Sequence, residues 1–309
     1  MTETPHPGSR PGEARPYHEA AFAQMRVTDA WRKHGRRLVW GRGQCLAILD
    51  DGCDLTVPEW RVRMPWGPKV IAAWNSFDSN EDPTPVPPGY HGTSVGYPSS
   101  LNCNGVQGIA YNDFVAQVRC VTVVHLTQDE SATMAAALQW VIDRREELNI
   151  TAVNLSPLDD QRHREPVPTA IDAKLQALRR LGVWVSAPCG NHNYTDGISW
   201  PACQPDCFGI GATVPGRHEA HLDRFSNTDL LVCAEATSSS NAFAAAGAMV
   251  LREAIEQCGY PWRRLADTLP DAVMEIFRRT GVPIHDPQTG LDFRELDLLA
   301  ALDHVFGEG

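Results

Sequence analysis

"ATSSSNAFAAAGAMVL", residues 236–251, opens with three serines and continues as an alanine- and glycine-rich run. Hydroxyl side chains favour helix N-termini, where they satisfy N–H groups that the helix itself leaves orphaned. The segment therefore reads as a Ser-capped helix or as the mount of a nucleophile. A serine hydroxyl attacks only when an imidazole takes its proton, and the imidazole needs a carboxylate to fix its tautomer and stabilise its charge. The rest of the chain must supply both.

Working outward, "QCLAILDDG" is a short apolar run stopped by two acids and a glycine, which predicts a buried strand ending at Asp50. "HGTSVGYPSSLN" predicts a short helix starting at His91. Further strands are expected in "KVIAAWNSF", "NDFVAQVRCVTVV", "ITAVNLS", "VWVSAPCGN", "CFGIGAT" and "DLLVCA". Between them, "DESATMAAALQWVIDRREEL" and "PTAIDAKLQALRRLG" have helical spacing, with acids opening the first, where the helix dipole favours them. The C-terminal third reads as helical throughout: "AFAAAGAMVLREAIEQCG", "RLADTLPDAVMEIFRRTG" and "FRELDLLAALDHVF".

Strands alternating with helices imply an α/β fold, a mostly parallel central sheet with helices on both faces, in which chemistry collects at the carboxyl ends of the strands. Asp50, Ser156 and Asn191 each fall just past a predicted strand, on that edge. An acid in "LDDG", a histidine in "YHGTS" and a serine in "TSSSNA" then follow one of the known chain orders of a Ser-His-Asp triad.

The chain has 309 residues, 43% of them hydrophobic, enough for a single domain with a sizeable core. Net charge is −11 and no basic stretch interrupts the acidic background, which argues against a nucleic-acid partner. No apolar run reaches membrane-spanning length. Residues 1–20, rich in Pro, Gly and charge, read as a disordered tail rather than a signal peptide, and 21–309 as one domain. Nine cysteines in a chain this long read as reduced and buried, which favours the cytoplasm. Cys203 and Cys207 in "PACQPDC" are the pair to weigh for a metal or a disulfide.

From about residue 40 onward the chain resembles the subtilisin-like serine proteases, the subtilases. "LAILDDGCD" resembles the family's catalytic-Asp segment, "HGTSVG" its catalytic-His segment and "VWVSAPCGNHN" the strand and Gly-Asn of the oxyanion hole. "WPACQPDCFGIGAT" resembles the next strand and "TSSSNAFAAAGAMVL" the nucleophile helix. The resemblance implies a single subtilisin-like domain with Asp50 as orienting acid, His91 as general base and Asn191 as side-chain oxyanion donor. The family's helix carries a glycine eight residues after the nucleophile. Counting back from Gly247 gives Ser239, with Ser238 as the alternative, because "ATS" looks more like the family's Gly-Thr-Ser. In the Ser239 register Thr237 stands where the family has Gly, and Phe243 where it usually has Pro.

The second acid of "LDDG" and the segments "SFDSNEDPTP", "SPLDDQ" and "TDGISWPA" resemble the kexin/furin-like branch. That likeness implies a basic P1 preference, with Asp159 and Asp196 on the S1 wall, Ser156 in the substrate cleft and Asp51 at S2. Structural calcium is a further expectation, because hard cations want clustered carboxylate and carbonyl oxygens; Asp78 and Asp82 in the acidic loop are the first candidates and Glu59 with Asn104 the second. The reading expects neither a folding prodomain ahead of the core nor the branch's downstream β-sandwich domain. The expectation is an intracellular serine endopeptidase acting on peptides or precursors. A catalytically impaired peptide-binding protein and a peptide ligase share the scaffold.

Overall fold

The computed structural model describes residues 15–307. Ten strands build one sheet: β1 (Cys45–Asp50), β2 (Val70–Asn75), β3 (Phe114–Arg119), β4 (Ile150–Leu155), β5 (Trp184–Pro188), β6 (Phe208–Thr213), β7 (Ala220–His221), β8 (Leu230–Cys233), β9 (Val282–Asp286) and β10 (Leu291–Glu295). The order is β9-β10-β8-β6-β5-β4-β1-β3-β2, with the short β7 beside β6. Every pair is parallel except β9–β10 and β6–β7. Parallel strands covered on both faces have no solvent side, which is why β1, β4, β5 and β6 are buried at every residue.

Two cores result. On one face, α5 (Ser131–Leu148) and α6 (Asp172–Arg180) bury Leu138, Val141, Leu175 and Leu178. On the other, α7 (Thr237–Cys258) is buried at 16 of its 22 positions and is flanked by α8 (Leu269–Thr280) and α9 (Leu298–Phe306). Alanines at 242, 244, 245 and 246 remove bulk, so the helix axis lies close to β4, β5 and β6, while Phe243, Met249 and Leu251 fill the flanks. Fully burying one such large side chain contributes roughly 1.5–3 kcal/mol.

Two expectations change. The C-terminal third is not helical throughout, because β9 and β10 form an antiparallel hairpin around Asp286–Leu291. Each of these strands alternates in burial, with Ile284, Asp286, Phe293 and Glu295 turned inward, and "LDFRE" pairs as a strand before α9 begins at Leu298. The expected tail lies outside the described residues over 1–14, but residues 15–20 belong to the folded body. There Arg15–Pro16 runs parallel to Val106–Gln107, and His18 Nδ1 caps α1 (Glu19–Gln24) by accepting from Ala21 N–H at 3.2 Å. Between α1 and β1 lies α2 (Val27–His34).

The chain leaving β3 crosses the end of β1, where Cys120 N–H donates to Asp50 O at 2.9 Å. It then pairs with the segment beyond β4. Leu158 N–H donates to Val124 O at 3.0 Å, and Leu126 N–H to Leu158 O at 2.9 Å. Glu130 closes this arch by accepting from Thr122 N–H at 3.0 Å and Thr122 Oγ1 at 2.5 Å.

Candidate active site

The carboxyl edge of the sheet gathers the expected residues. β1 delivers Asp50 with 1% exposure, and Asp51 N–H donates to its Oδ1 at 2.8 Å. His91 opens the one-turn helix α3 (His91–Ser94), which α4 (Tyr97–Ser100) follows. Its Nδ1 lies 2.9 Å from Asp50 Oδ2 and 3.1 Å from Oδ1. Donation from Nδ1 to the carboxylate leaves Nε2 as the acceptor. Gly92 allows this approach, since a Cβ there would stand 2.3 Å from Gly52 O and 2.8 Å from Asp50 Cβ.

Asp51, expected to read a substrate side chain, is turned inward at 1% exposure. Its oxygens accept from His91 N–H at 3.2 Å and Gly92 N–H at 2.9 Å, so it clamps the histidine turn to β1. Burial, reinforced by the Asp50 charge, pushes the Asp51 carboxyl up to about 6. At His91 burial opposes the imidazolium, but the charge and hydrogen bond of Asp50, with Asp51 behind, outweigh it and raise the pKa above 6.5.

Which serine faces the histidine follows from the turn of α7. Ser240 Oγ donates to Val232 O of β8 at 2.9 Å. Asn241 Nδ2, one step on, donates to Asn154 Oδ1 of β4 at 2.7 Å and to Ser186 O of β5 at 3.1 Å. That step of about 100° therefore sweeps from β8 toward β4. A further ~60° in the same sense reaches the direction of Ser238, on the side of β1, Asp50 and His91. Ser239 points away from the sheet.

The expected Ser239 register rested on Gly247, yet a Cβ at 247 would meet nothing nearer than Leu296 Cδ2 at 3.5 Å. No close approach demands that glycine, so it does not anchor the register. The geometry selects Ser238, preceded by Ala236-Thr237 where the family has Gly-Thr.

Thr237 ties down Asn191, the expected oxyanion donor. Asn191 Oδ1 accepts from Thr237 N–H and Thr237 Oγ1, both at 2.9 Å, and Thr237 Oγ1 accepts from Gly190 N–H at 3.2 Å. With Oδ1 anchored, the Asn191 amide presents Nδ2 to the cleft. Ser239 and Ser240 N–H both reach Ala236 O at 3.1 Å, whereas Ser238 N–H has no backbone acceptor. Two donors thus stand at the N-terminus of α7, where orphan N–H groups and the helix dipole favour negative charge. Thr237 and the buried Asn241 escaped sequence reasoning. The only trace of them was their place in "ATSSSNA".

The remaining expected residues are not brought together as foreseen. Ser156 is fully buried and accepts from Asn154 Nδ2 at 2.9 Å. Asp159 lines a cleft of about 480 Å³ with Trp200 and Leu126. Both its oxygens are engaged, Oδ2 by His163 at 2.7 Å and Oδ1 by Trp200 N–H and Gln161 N–H, each at 3.1 Å. Asp196 is paired on the surface with Arg162 at 3.3 Å and Arg164 at 2.9 Å, which hold its carboxyl below the usual range.

The calcium candidates bond within their own loops. Asp78 Oδ2 accepts from Asn75 Nδ2, Asp82 Oδ1 from Thr84 N–H and hydroxyl, and Asn104 sits in a left-handed turn. Among the described residues no three His, Cys, Asp or Glu side chains converge on a metal position, Glu59, Cys203 and Cys207 included. All nine cysteines are free thiols. No helix among the described residues is long and apolar enough to cross a membrane.

A parallel sheet presenting Asp, His, Ser and Asn along one edge, in that arrangement, is what the resemblance to the subtilases implies. Comparison with known proteins supports that family. The chain is 25% identical over 198 residues to an intracellular serine protease of Paenibacillus polymyxa, a match covering 61% of this chain and 54% of that protein. It is 28% identical over 190 residues to PC3-like endoprotease variants A and B of Hydra vulgaris, covering 57% of this chain. The match takes in 24% of variant B and 22% of variant A, so the chain spans about half of one relative's length and under a quarter of the others'. No family model matches the chain.

Proposed function

We propose that the chain is a subtilisin-like serine endopeptidase that cleaves peptide bonds through an acyl-enzyme. The observation that carries this is the short bond between Asp50 and His91 Nδ1, on the side of β1 that Ser238 faces. Ser238 Oγ attacks the scissile carbonyl carbon while His91 Nε2 takes the hydroxyl proton. Asp50 stabilises the imidazolium so formed. The carbonyl oxygen, now negative, is received by Asn191 Nδ2 and Ser238 N–H. Collapse breaks the C–N bond, and His91 passes its proton to the leaving amine. Water then enters by the same route, activated by His91, and releases the acid and Ser238.

Substrates on this reading are peptides or proteins, with a preference for a basic residue at P1. The pairing of Leu158 with Val124 and Leu126 takes up those backbone groups, so they are not free to pair with a substrate strand.

The test is fluorophosphonate labelling read by intact mass and peptide mapping. An adduct on Ser238 that disappears in His91→Ala is expected. An adduct on Ser239 would refute the register. No adduct on folded protein would favour a binding protein built on the same scaffold.

A further inference from the structure

β1 stops at Asp50, while the chains on either side of it run on. Gly52, at φ +118°, turns the chain away, and Cys53 N–H then donates to Pro83 O at 2.8 Å. β3 and β4 flank β1, and their continuations pass the point where it leaves. The place in line with β1 beyond Asp50 is therefore a strand position with backbone on both sides. An extended peptide lying there would pair with both neighbours and run to Asp50, the residue that holds His91. The flanking chains close on each other instead. Leu158 spends both backbone groups on the arch, its N–H on Val124 O at 3.0 Å and its O on Leu126 N–H at 2.9 Å, with His125 opposite it in a parallel bridge. Neighbouring strands lie about 4.8 Å apart, so admitting a peptide requires the arch to move out by about that distance.

The arch is built to move as one piece. Its ends are fixed, since Val121 and Glu130 are buried and the Glu130 carboxylate spans the base to the N–H and hydroxyl of Thr122. Between them, residues 122–129 bury only Val124. Residues 126–130 border the cleft of about 480 Å³ that Asp159 and Trp200 line, so packed core does not back the arch there. A segment with fixed ends and one buried side chain opens far more readily than the sheet beside it. Its tip is pinned at the surface, where His125 Nδ1 lies 2.8 Å from Asp160 Oδ2 and the imidazole is 53% exposed.

We propose that residues 122–129 form an autoinhibitory strap. Paired with Leu158, they fill the strand position that leads to His91, and they must unpair, releasing His125 from Asp160, before a peptide with several residues ahead of the scissile bond can bind. The proposal rests on the peptidase reading and adds a regulation to it. Opening frees Val124 O, Leu126 N–H and both backbone groups of Leu158, and the bound peptide pairs with them in turn, so the substrate itself offsets the cost of opening. Small reagents that need no strand pairing reach Ser238 with the strap closed.

The experiment compares kcat/KM on two coumarin amides that share a terminal arginine, acetyl-Arg and acetyl-Ala-Ala-Ala-Arg. The proteins are the parent, His125→Ala and Asp160→Asn, the last chosen because Asn tolerates the left-handed backbone of residue 160 at φ +57°. The ratio of long to short substrate should rise at least about fivefold over the parent's in each variant, as the open fraction grows. Fluorophosphonate labelling should keep its rate. Partial unfolding would lower all these activities together and cannot imitate that gain. The same ratio in all three proteins overturns the strap. Hydrogen exchange separates this from failure of the peptidase reading. The amides of Leu126 and Leu158 should exchange at least about fivefold faster in both variants than in the parent, whether or not the protein takes a fluorophosphonate. Faster exchange without labelling would count against the triad and leave the strap standing. Equal exchange at those two amides in all three proteins refutes the strap on its own.

Discussion

Thr237→Val removes one hydroxyl and keeps the side-chain shape, at a fully buried position where space is not in question. That hydroxyl accepts from Gly190 N–H at 3.2 Å and donates to Asn191 Oδ1 at 2.9 Å, one of the two bonds that orient the Asn191 amide. An oxyanion donor of this kind is worth about 3–4 kcal/mol of barrier. Losing one of its two tethers should forfeit about half, or ~1.5–2 kcal/mol, a fall of roughly 10- to 30-fold in kcat. KM should move little, because the amide engages the oxygen only once charge develops.

The stranded Gly190 N–H also costs about 1–3 kcal/mol of fold stability, visible as a lower Tm, so both variants must be assayed well below it. The decisive assay is a double-mutant cycle with Asn191→Ala, read as kcat and KM on one coumarin-amide peptide. If Thr237 acts through Asn191, adding Thr237→Val to Asn191→Ala should cost almost nothing further. A full additional 10-fold loss in that background would refute the tether.

Ser238→Ala should lower kcat by several orders of magnitude with Tm unchanged, whereas Ser239→Ala should stay within a few-fold of the parent; steady-state rates and melting curves of the pair decide the register. His91 must be neutral to act as base, so the acid limb of kcat/KM should have its midpoint above 6.5, and Asp50→Asn should lower kcat about 10⁴-fold and bring that midpoint down. The same raised pKa contributes stability that is fully present below about 6.5 and lost as pH rises through the folded value, which pH-dependent melting of His91→Ala against the parent would reveal. Asp51→Asn should lower kcat on every substrate alike, as befits a clamp on the His91 turn; a loss confined to KM for substrates with basic P2 residues would restore the subsite role. Millimolar calcium tests the candidates Asp78, Asp82, Glu59 and Asn104: a rise of several degrees in Tm is the outcome a structural site requires, and an unchanged Tm would reject it.

What could be read from the sequence and what could not divide along a physical line. Asp50 and His91 were legible because short-range constraints place them. A six-residue buried strand has one end at which a carboxylate can emerge, and the glycine after His91 is required by contacts of 2.3 and 2.8 Å. The parallel sheet was legible for the same reason, its strands being continuous apolar runs. The β9–β10 hairpin was not, because "LDFRE" runs straight into the apolar helix pattern of α9, and only pairing across the turn with "VPIHD" decides its state.

The serine is harder to read. Counting from Gly247 relies on the family's glycine position, yet at 3.5 Å from its nearest neighbour no close packing demands a glycine there. The register is held instead by Ser240 on β8, eight residues back in the chain, and by Asn241 on β4 and β5, 87 and 55 residues back and brought near only by the sheet. The acids show the same limit. Four aspartates near the cleft look alike as letters, but arginines folding back quench Asp196, backbone N–H groups and His163 saturate Asp159, His125 holds the half-exposed Asp160, and Asp223 is buried against Tyr194 N–H. Charge is local in a sequence, but whether a carboxylate still has a lone pair to offer depends on which loops the fold brings against it.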